Sequence, residues 1–231
     1  MSDAADARAA PMPERLDSDR ARALSLVPVS RETVERLDRF VALLQRWQAS
    51  INLIAPSTVD QLWTRHIADS LQLIALAPDA KVWIDLGSGG GFPGLVVACA
   101  LAGRPGTVVH LVESNHKKAA FLREAARVTG APAVIHATRI ETFAAEAQAE
   151  AVRANVVTAR ALARLKVLVN QSFRLFGPET IGLFPKGQDV DGELTEASKC
   201  WNMTYDLVPS RTDSKGRIVV VRALNRKLTQ T

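Results

Sequence analysis

Lys81-Val-Trp-Ile-Asp85-Leu-Gly-Ser-Gly-Gly-Gly-Phe-Pro-Gly94 is the stretch whose reading decides the fold. Val82 to Leu86 reads as a buried strand, and it runs through a glycine loop straight into a helix. Gly87, Gly89, Gly90 and Gly91 tolerate positive φ and carry no Cβ, so a ligand can come close to the backbone. Pro93 suits the first helical position, and Gly103 stands where such a helix should end. The start of that helix aims free N–H groups and a partial positive charge at whatever lies over the loop.

Two ligands compete for that place. A dinucleotide requires Gly-x-Gly-x-x-Gly beginning just after the strand, and counted from Gly87 the third glycine position holds Phe92. The register that does match, Gly89-x-Gly91-x-x-Gly94, begins late in the loop. What begins on time is Asp85-x-Gly87-x-Gly89-x-Gly91, with a carboxylate at the end of the strand. That carboxylate repels a pyrophosphate and attracts an ammonium, directly or through water. S-adenosylmethionine carries an ammonium and a sulfonium and no phosphate, so the charges favour it over NAD; a dehydrogenase stays as a rival. The next strand, Val108 to Val112, ends in Glu113. There a carboxylate can accept two hydrogen bonds from a ribose diol. Taken alone, Glu113 would read as a helix-start acid; beside the glycine loop, the ribose role is the better reading.

Outward from this centre the chain divides in three. Residues 1–27 are rich in Ala, Arg and Asp with no apolar run, and read as a disordered tail rather than a secretory signal. Residues 28–80 read as a helical cap. Ser30 is its first N-cap, Val34, Leu37, Val41, Leu44 and Trp47 recur at helical spacing, and a second helix is expected over 58–76. From 81 to 231 strands and helices alternate, with further strands expected at 133–136, 156–157 and 181–184. The chain closes on an antiparallel pair at 204–207 and 217–222. Such an order implies an α/β fold: a doubly wound, mostly parallel sheet with ligands at the carboxyl ends of its strands. Gly87, Glu113, Arg139-Ile-Glu141, Arg160 and Lys186-Gly187 all fall at those ends.

Composition sets bounds on function. At 231 residues the chain is long enough for one sizeable domain plus an accessory segment, and its net charge of +5 permits a nucleic-acid partner without requiring one. Between Arg104 and Arg174 eleven Lys/Arg stand against five Glu. Lys117, Lys118, Arg123, Arg127, Arg164 and Lys166 from that stretch suit a phosphate-tracking face. No apolar run reaches a membrane-spanning length, and Cys99 and Cys200 form no CxxC pair. No metal site and no membrane partner are expected.

Asn52-Leu53, Arg65-His66-Ile67-x-Asp69-Ser70-Leu71, Asp85 through Gly94, Arg139-Ile-Glu141, Ala159-Arg-Ala161 and Pro185-Lys-Gly187 occur in this order across residues 28–223. Together they resemble the bacterial small-subunit (16S) ribosomal RNA guanine-N7 methyltransferase family, also called glucose-inhibited division protein B. The resemblance implies a class I, Rossmann-like methyltransferase sheet, S-adenosylmethionine as cofactor, and 16S ribosomal RNA or the small ribosomal subunit as partner. It also implies a cytoplasmic location. Cofactor contacts carry over to Gly87, Phe92, Ile140, Glu141 and Arg160. Asp85, Gly89, Gly91 and Glu113 join them from the loop argument, and Arg65, His66, Lys117, Lys118, Arg123, Arg139 and Lys186 are the RNA-binding candidates. Gly90 stands where the family often has proline, Glu113 where aspartate is common, and Ala159 where serine is common.

The reaction so implied requires no catalytic base, because guanine N7 offers a lone pair and has no proton to lose. Alignment of the two reactants then carries the rate. Three rival functions stay open: a methyltransferase acting on a protein or small molecule, the NAD-linked dehydrogenase, and a catalytically silent ribosome-assembly binder. A monomer is expected, with the oligomeric state itself open.

Overall fold

A computed structural model describes residues 12–227, arranged around a seven-stranded sheet in the order β3-β2-β1-β4-β5-β7-β6. Val82–Leu86 (β1), Val108–Val112 (β2), Ala133–His136 (β3), Val156–Thr158 (β4) and Ile181–Lys186 (β5) are mutually parallel. Trp201–Pro209 (β6) and Arg217–Arg226 (β7) form an antiparallel pair, and β7 also lies antiparallel to β5. Strand order reverses direction at β1, between β2 and β4, and there the loops leaving the strands diverge and open a crevice. Both faces of β1 are covered, so its residues are apolar with one exception: Trp83, Ile84 and Leu86 are buried, and so is Asp85.

The helices are Met12–Leu26 (α1), Arg31–Gln48 (α2), Gly94–Leu101 (α3), His116–Thr129 (α4), Ile140–Ala149 (α5), Leu165–Ser172 (α6) and Val190–Ser198 (α7), with an irregularly wound segment over 56–76. One core lies between the sheet, the cap and helices α3 and α4, joining Leu37, Phe40 and Leu44 to Trp83, Leu95 and Phe121. The other face is covered by α5, α6 and α7, through Phe143, Leu168 and Leu194 packed on Ile84, Phe184 and Val219. Ser30 caps α2 by accepting from the Thr33 N–H at 3.3 Å, as its sequence position suggests. Asn115 caps α4 by accepting from Lys117 and Lys118 N–H groups, and Gly130 ends that helix at φ 64°.

Four elements differ from the expectation. The disordered tail expected over 1–27 is, from Met12 onward, helix α1; residues 1–11 lie outside the described residues. Its polar composition conceals tertiary partners. Asp19 accepts from the backbone N–H groups of Trp63 and Thr64 at 2.7 and 3.2 Å, Arg20 forks onto Asp38 at 2.8 Å, and Ala23 is buried. The single helix expected over 58–76 is instead a 3₁₀ turn (Pro56–Gln61), a π-turn (Trp63–Ala68), a short α-turn (Asp69–Leu71) and a second 3₁₀ turn (Gln72–Leu76). Helix α7 has no counterpart in the sequence reading; only Val190, Leu194 and Ala197 mark its buried side. The final strands are longer than expected, because a bulge between Thr204 and Tyr205 breaks the alternation that would have revealed the whole of β6.

Candidate active site

The loop from β1 to α3 is built downward from hydrogen bonds. Gly87 and Ser88 N–H groups donate to Val112 O at 2.9 and 3.0 Å, which draws the loop toward the end of β2. Glu113, the first residue past β2, then takes the Gly89 N–H on Oε2 at 2.9 Å and the Asn115 N–H on Oε1 at 2.7 Å. One carboxylate thus joins the glycine loop to the start of α4. Each of its oxygens keeps a second lone pair, and the residue lines the cavity above. Gly91 takes φ 92°, a conformation that a side chain would strain.

Asp85 lies beneath this loop. Its Oδ2 accepts from the Gly94 N–H at 3.1 Å, so it steadies the beginning of α3, while Oδ1 is buried with no partner. Burial pushes its pKa up from 3.8 to about 7. A Cβ on Gly94 would stand 2.6 Å from the Asp85 Cβ and 2.3 Å from Leu111 Cδ2, so only glycine lets helix and strand come this close. Gly90 is equally confined: a Cβ there would stand 2.8 Å from Leu53 O in the cap. The departure from proline at this position therefore accompanies a cap that rests directly on the loop.

A cavity of about 1050 Å³ opens above the loop, at the carboxyl ends of the parallel strands. Gly87, Gly89, Phe92, Glu113, Ile140, Glu141 and Arg160 line it, as do Arg65, His66, Lys118, Arg139 and Lys186. The remaining sequence candidates stand elsewhere. Asp85 and Gly91 lie behind the wall, and Lys117 and Arg123 are on the exposed side of α4.

Arg160, at the end of β4, is held on several sides. Its guanidinium donates to Arg65 O at 2.6 Å, to Asp69 Oδ2 at 3.1 Å and to His66 Nδ1, and it stands 5.5 Å over the Phe92 ring. That contact sets the histidine tautomer: Nδ1 accepts, so Nε2 carries the proton and donates to Thr58 Oγ1 at 2.9 Å. Thr58 in turn donates to Ala55 O at 2.8 Å. Burial, reinforced by Arg160 and Arg65, pushes the His66 pKa down to about 3. The ring is therefore neutral at physiological pH and positions Arg160, where the sequence suggested an RNA contact.

Lys186 is likewise turned inward. Its Nζ donates to Ala163 O and pairs with Glu193, both at 2.7 Å, and its side chain is 8 % exposed. Glu193 also accepts the Leu165 N–H at 2.6 Å, so this ion pair fastens the strap between β4 and α6. The strap turns at Ala161, with φ 53°, and lays Leu162 against Gly87. Leu162, Asp69 and Thr212 were not among the sequence candidates. Asp69 alone left a signal, its place in the Arg-His-Ile-x-Asp-Ser-Leu piece.

A sheet of this order, with a glycine loop at its reversal point and an acid after the second strand, defines the class I methyltransferase fold. Solved structures agree at that level: a putative O-methyltransferase from Klebsiella pneumoniae has a TM-score of 0.58 and 14% identity, with 92% of this chain and 99% of that one covered. An O-methyltransferase from Bacillus cereus in complex with SAH gives 0.56 at 14% identity, covering 91% and 99%. Within that class, the chain belongs to the GidB family, rRNA small subunit methyltransferase G, whose model matches residues 33–221. A protein of Bradyrhizobium sp. strain BTAi1 named ribosomal RNA small subunit methyltransferase G is 56% identical over 209 residues, 90% of this chain and 93% of its own length. Its namesake in Parvibaculum lavamentivorans is 51% identical over 214 residues, 92% of each chain.

Proposed function

We infer that this chain transfers a methyl group from S-adenosylmethionine to N7 of a guanine in 16S ribosomal RNA, in the cytoplasm where ribosomes are methylated. The observation that carries the reading is the cavity itself. In a chain of this family, the glycine loop, the Glu113 carboxylate and the Arg139–Glu141 corner converge on one space.

The residues fit the cofactor. Asp85 Oδ1 is a buried acceptor without a partner behind the cavity wall, so a cation seated over the loop would meet it only through water. Glu113 has lone pairs that could accept from a ribose diol, and Ile140 and Glu141, at the start of α5, would hold the adenine. Phe92, backed by His66 at 4.9 Å between ring centroids, gives an apolar wall beside Arg160. When bound, S-adenosylmethionine supplies an electrophilic sulfonium methyl. The protein's part is to hold the guanine N7 lone pair in line with it and to exclude water, which entropy and orientation alone can reward by several orders of magnitude.

The test is to incubate the purified protein and S-adenosylmethionine with small ribosomal subunits from cells lacking the gene, followed by nucleoside analysis. New 7-methylguanosine in 16S RNA is expected. Methyl transfer to protein or small molecules, with RNA left unmodified, would replace this reading with the second one.

A further inference from the structure

We propose that the loop between β6 and β7, residues 210–216, together with Arg217 at its foot, is an RNA clamp at the mouth of the cavity. The phosphate-tracking face then lies here rather than along the outer side of α4 that carries Lys117, Arg123 and Arg127. The proposal rests on the RNA methyltransferase reading above and adds to it the surface that holds the substrate.

Placement is the first argument. Ser210, Thr212, Asp213, Gly216 and Arg217 line the same cavity as the glycine loop, so this loop borders the opening through which an acceptor base enters. A base that is modified inside an enzyme pocket has left its stack, and its flanking phosphates must lie along the rim. Of the basic residues on α4, Lys118 lines the cavity as Arg217 does, whereas Lys117, Arg123 and Arg127 are exposed outside it.

Charge is the second. Arg65 and Arg164 are exposed in the cavity lining and Arg217 is half-buried there, while Arg211 and Lys215 are exposed on the loop beside it; among the described residues none of the five is in an ion pair. Among the described residues Arg217 donates only to the carbonyls of Ser214 and Gly216, at 3.2 and 2.8 Å, so no carboxylate there neutralises its charge. The loop carries one carboxylate, Asp213, whose Oδ1 is engaged by the Lys215 N–H at 2.9 Å. The balance favours an anion, and the anion an emerging base brings with it is phosphate.

Rigidity is the third. Arg211 N–H donates to Gln72 Oε1 at 2.8 Å, Thr212 Oγ1 donates to Asp69 Oδ1 at 2.8 Å, and Gln72 Nε2 donates to Ser210 Oγ at 3.2 Å. Asp69 uses its other oxygen to hold Arg160. The clamp is therefore ordered before RNA arrives, which lowers the entropy lost on binding, and it shares one carboxylate with the cofactor side of the cavity.

The experiment compares two triple variants of the full chain, Arg211→Gln/Lys215→Gln/Arg217→Gln and Lys117→Gln/Arg123→Gln/Arg127→Gln. Affinity for unmethylated small ribosomal subunits is measured across salt concentrations, and S-adenosylmethionine affinity by calorimetry. The loop triple is expected to keep its cofactor affinity and to lower the slope of log K against log salt by about 2–3, at 0.7–0.9 per phosphate contact. The α4 triple is expected to keep the wild-type slope. Should the loop triple melt at a lower temperature, Lys215→Gln alone, at the exposed tip, is expected to lower the slope by about 0.7–0.9. A wild-type slope in the loop variants, or an equal loss in the α4 triple, overturns the clamp. If the wild-type protein takes up the cofactor yet neither binds nor methylates RNA, the RNA reading itself fails and the clamp goes with it.

Discussion

Asp85 and His66 show how burial gives two residues opposite pH behaviour. Asp85 keeps its proton in the folded chain until about pH 7, whereas the unfolded carboxyl loses it near 3.8. Its contribution to stability therefore falls as the pH rises through that interval. His66 runs the other way. Unfolded, it gains a proton below its ordinary 6.5, but folded it stays neutral until about 3, so stability is lost as the pH falls between those values. The two slopes oppose each other in the wild-type protein without cofactor. Asp85→Asn should gain melting temperature relative to wild type as the pH is raised from 4 to 7. His66→Gln should show its relative gain on the acid side of 6.5 and lose it by pH 7. Melting curves that track wild type at every pH in both variants would show that neither group is buried as described. The acid at the end of β1 was legible in the sequence. Its hydrogen bond to Gly94, and its place behind the cavity wall rather than in it, were not, because they depend on how closely α3 packs against β1.

Helix α4 illustrates what local sequence can specify for an element. Asn115 satisfies two N–H groups of the first turn, Gly130 takes the left-handed conformation after the last, and Phe121, Leu122 and Ala125 supply the buried stripe. Asn115→Ala should cost about 1 kcal/mol in urea denaturation, with a range of roughly 0.5–2 for such caps. A loss well above that would mean that the Asn115 side chain also fixes the backbone turn whose N–H Glu113 accepts. Helix α1 is the opposite case. A polar, charge-rich stretch of this kind is marginal as an isolated helix. It forms on the cap because Arg15, Asp19 and Arg20 find Asp60, Trp63 and Asp38, residues 18 to 45 positions away. The segment over 56–76 was recognisable as helical but not as a succession of 3₁₀, π and α turns. That winding accompanies the inward facing of His66 and Ser70 beside an exposed Arg65.

For the molecule as a whole, ligand linkage gives the simplest test of the reading. S-adenosylmethionine at a hundred times its dissociation constant should stabilise the protein by about 2.7 kcal/mol, seen as a higher melting temperature, and NAD at the same concentration should leave it unmoved. A shift with NAD instead would return the glycine loop to the dinucleotide class. The sequence by itself determined the alternation of strand and helix, the glycine loop, the acids at the ends of β1 and β2, and the family. Each of these is written in residues close together in the chain, where backbone freedom, periodicity and charge act locally. Tertiary structure alone decided what the basic residues do. Lys186 is neutralised by Glu193, Arg160 is shared among Asp69, His66 and the Arg65 carbonyl, and Arg217 in the cavity lining, with Arg211 and Lys215 on the loop beside it, has no ion pair among the described residues. A charge has the same symbol in a sequence whether it is paired or free; only the residues that folding places around it tell the two apart.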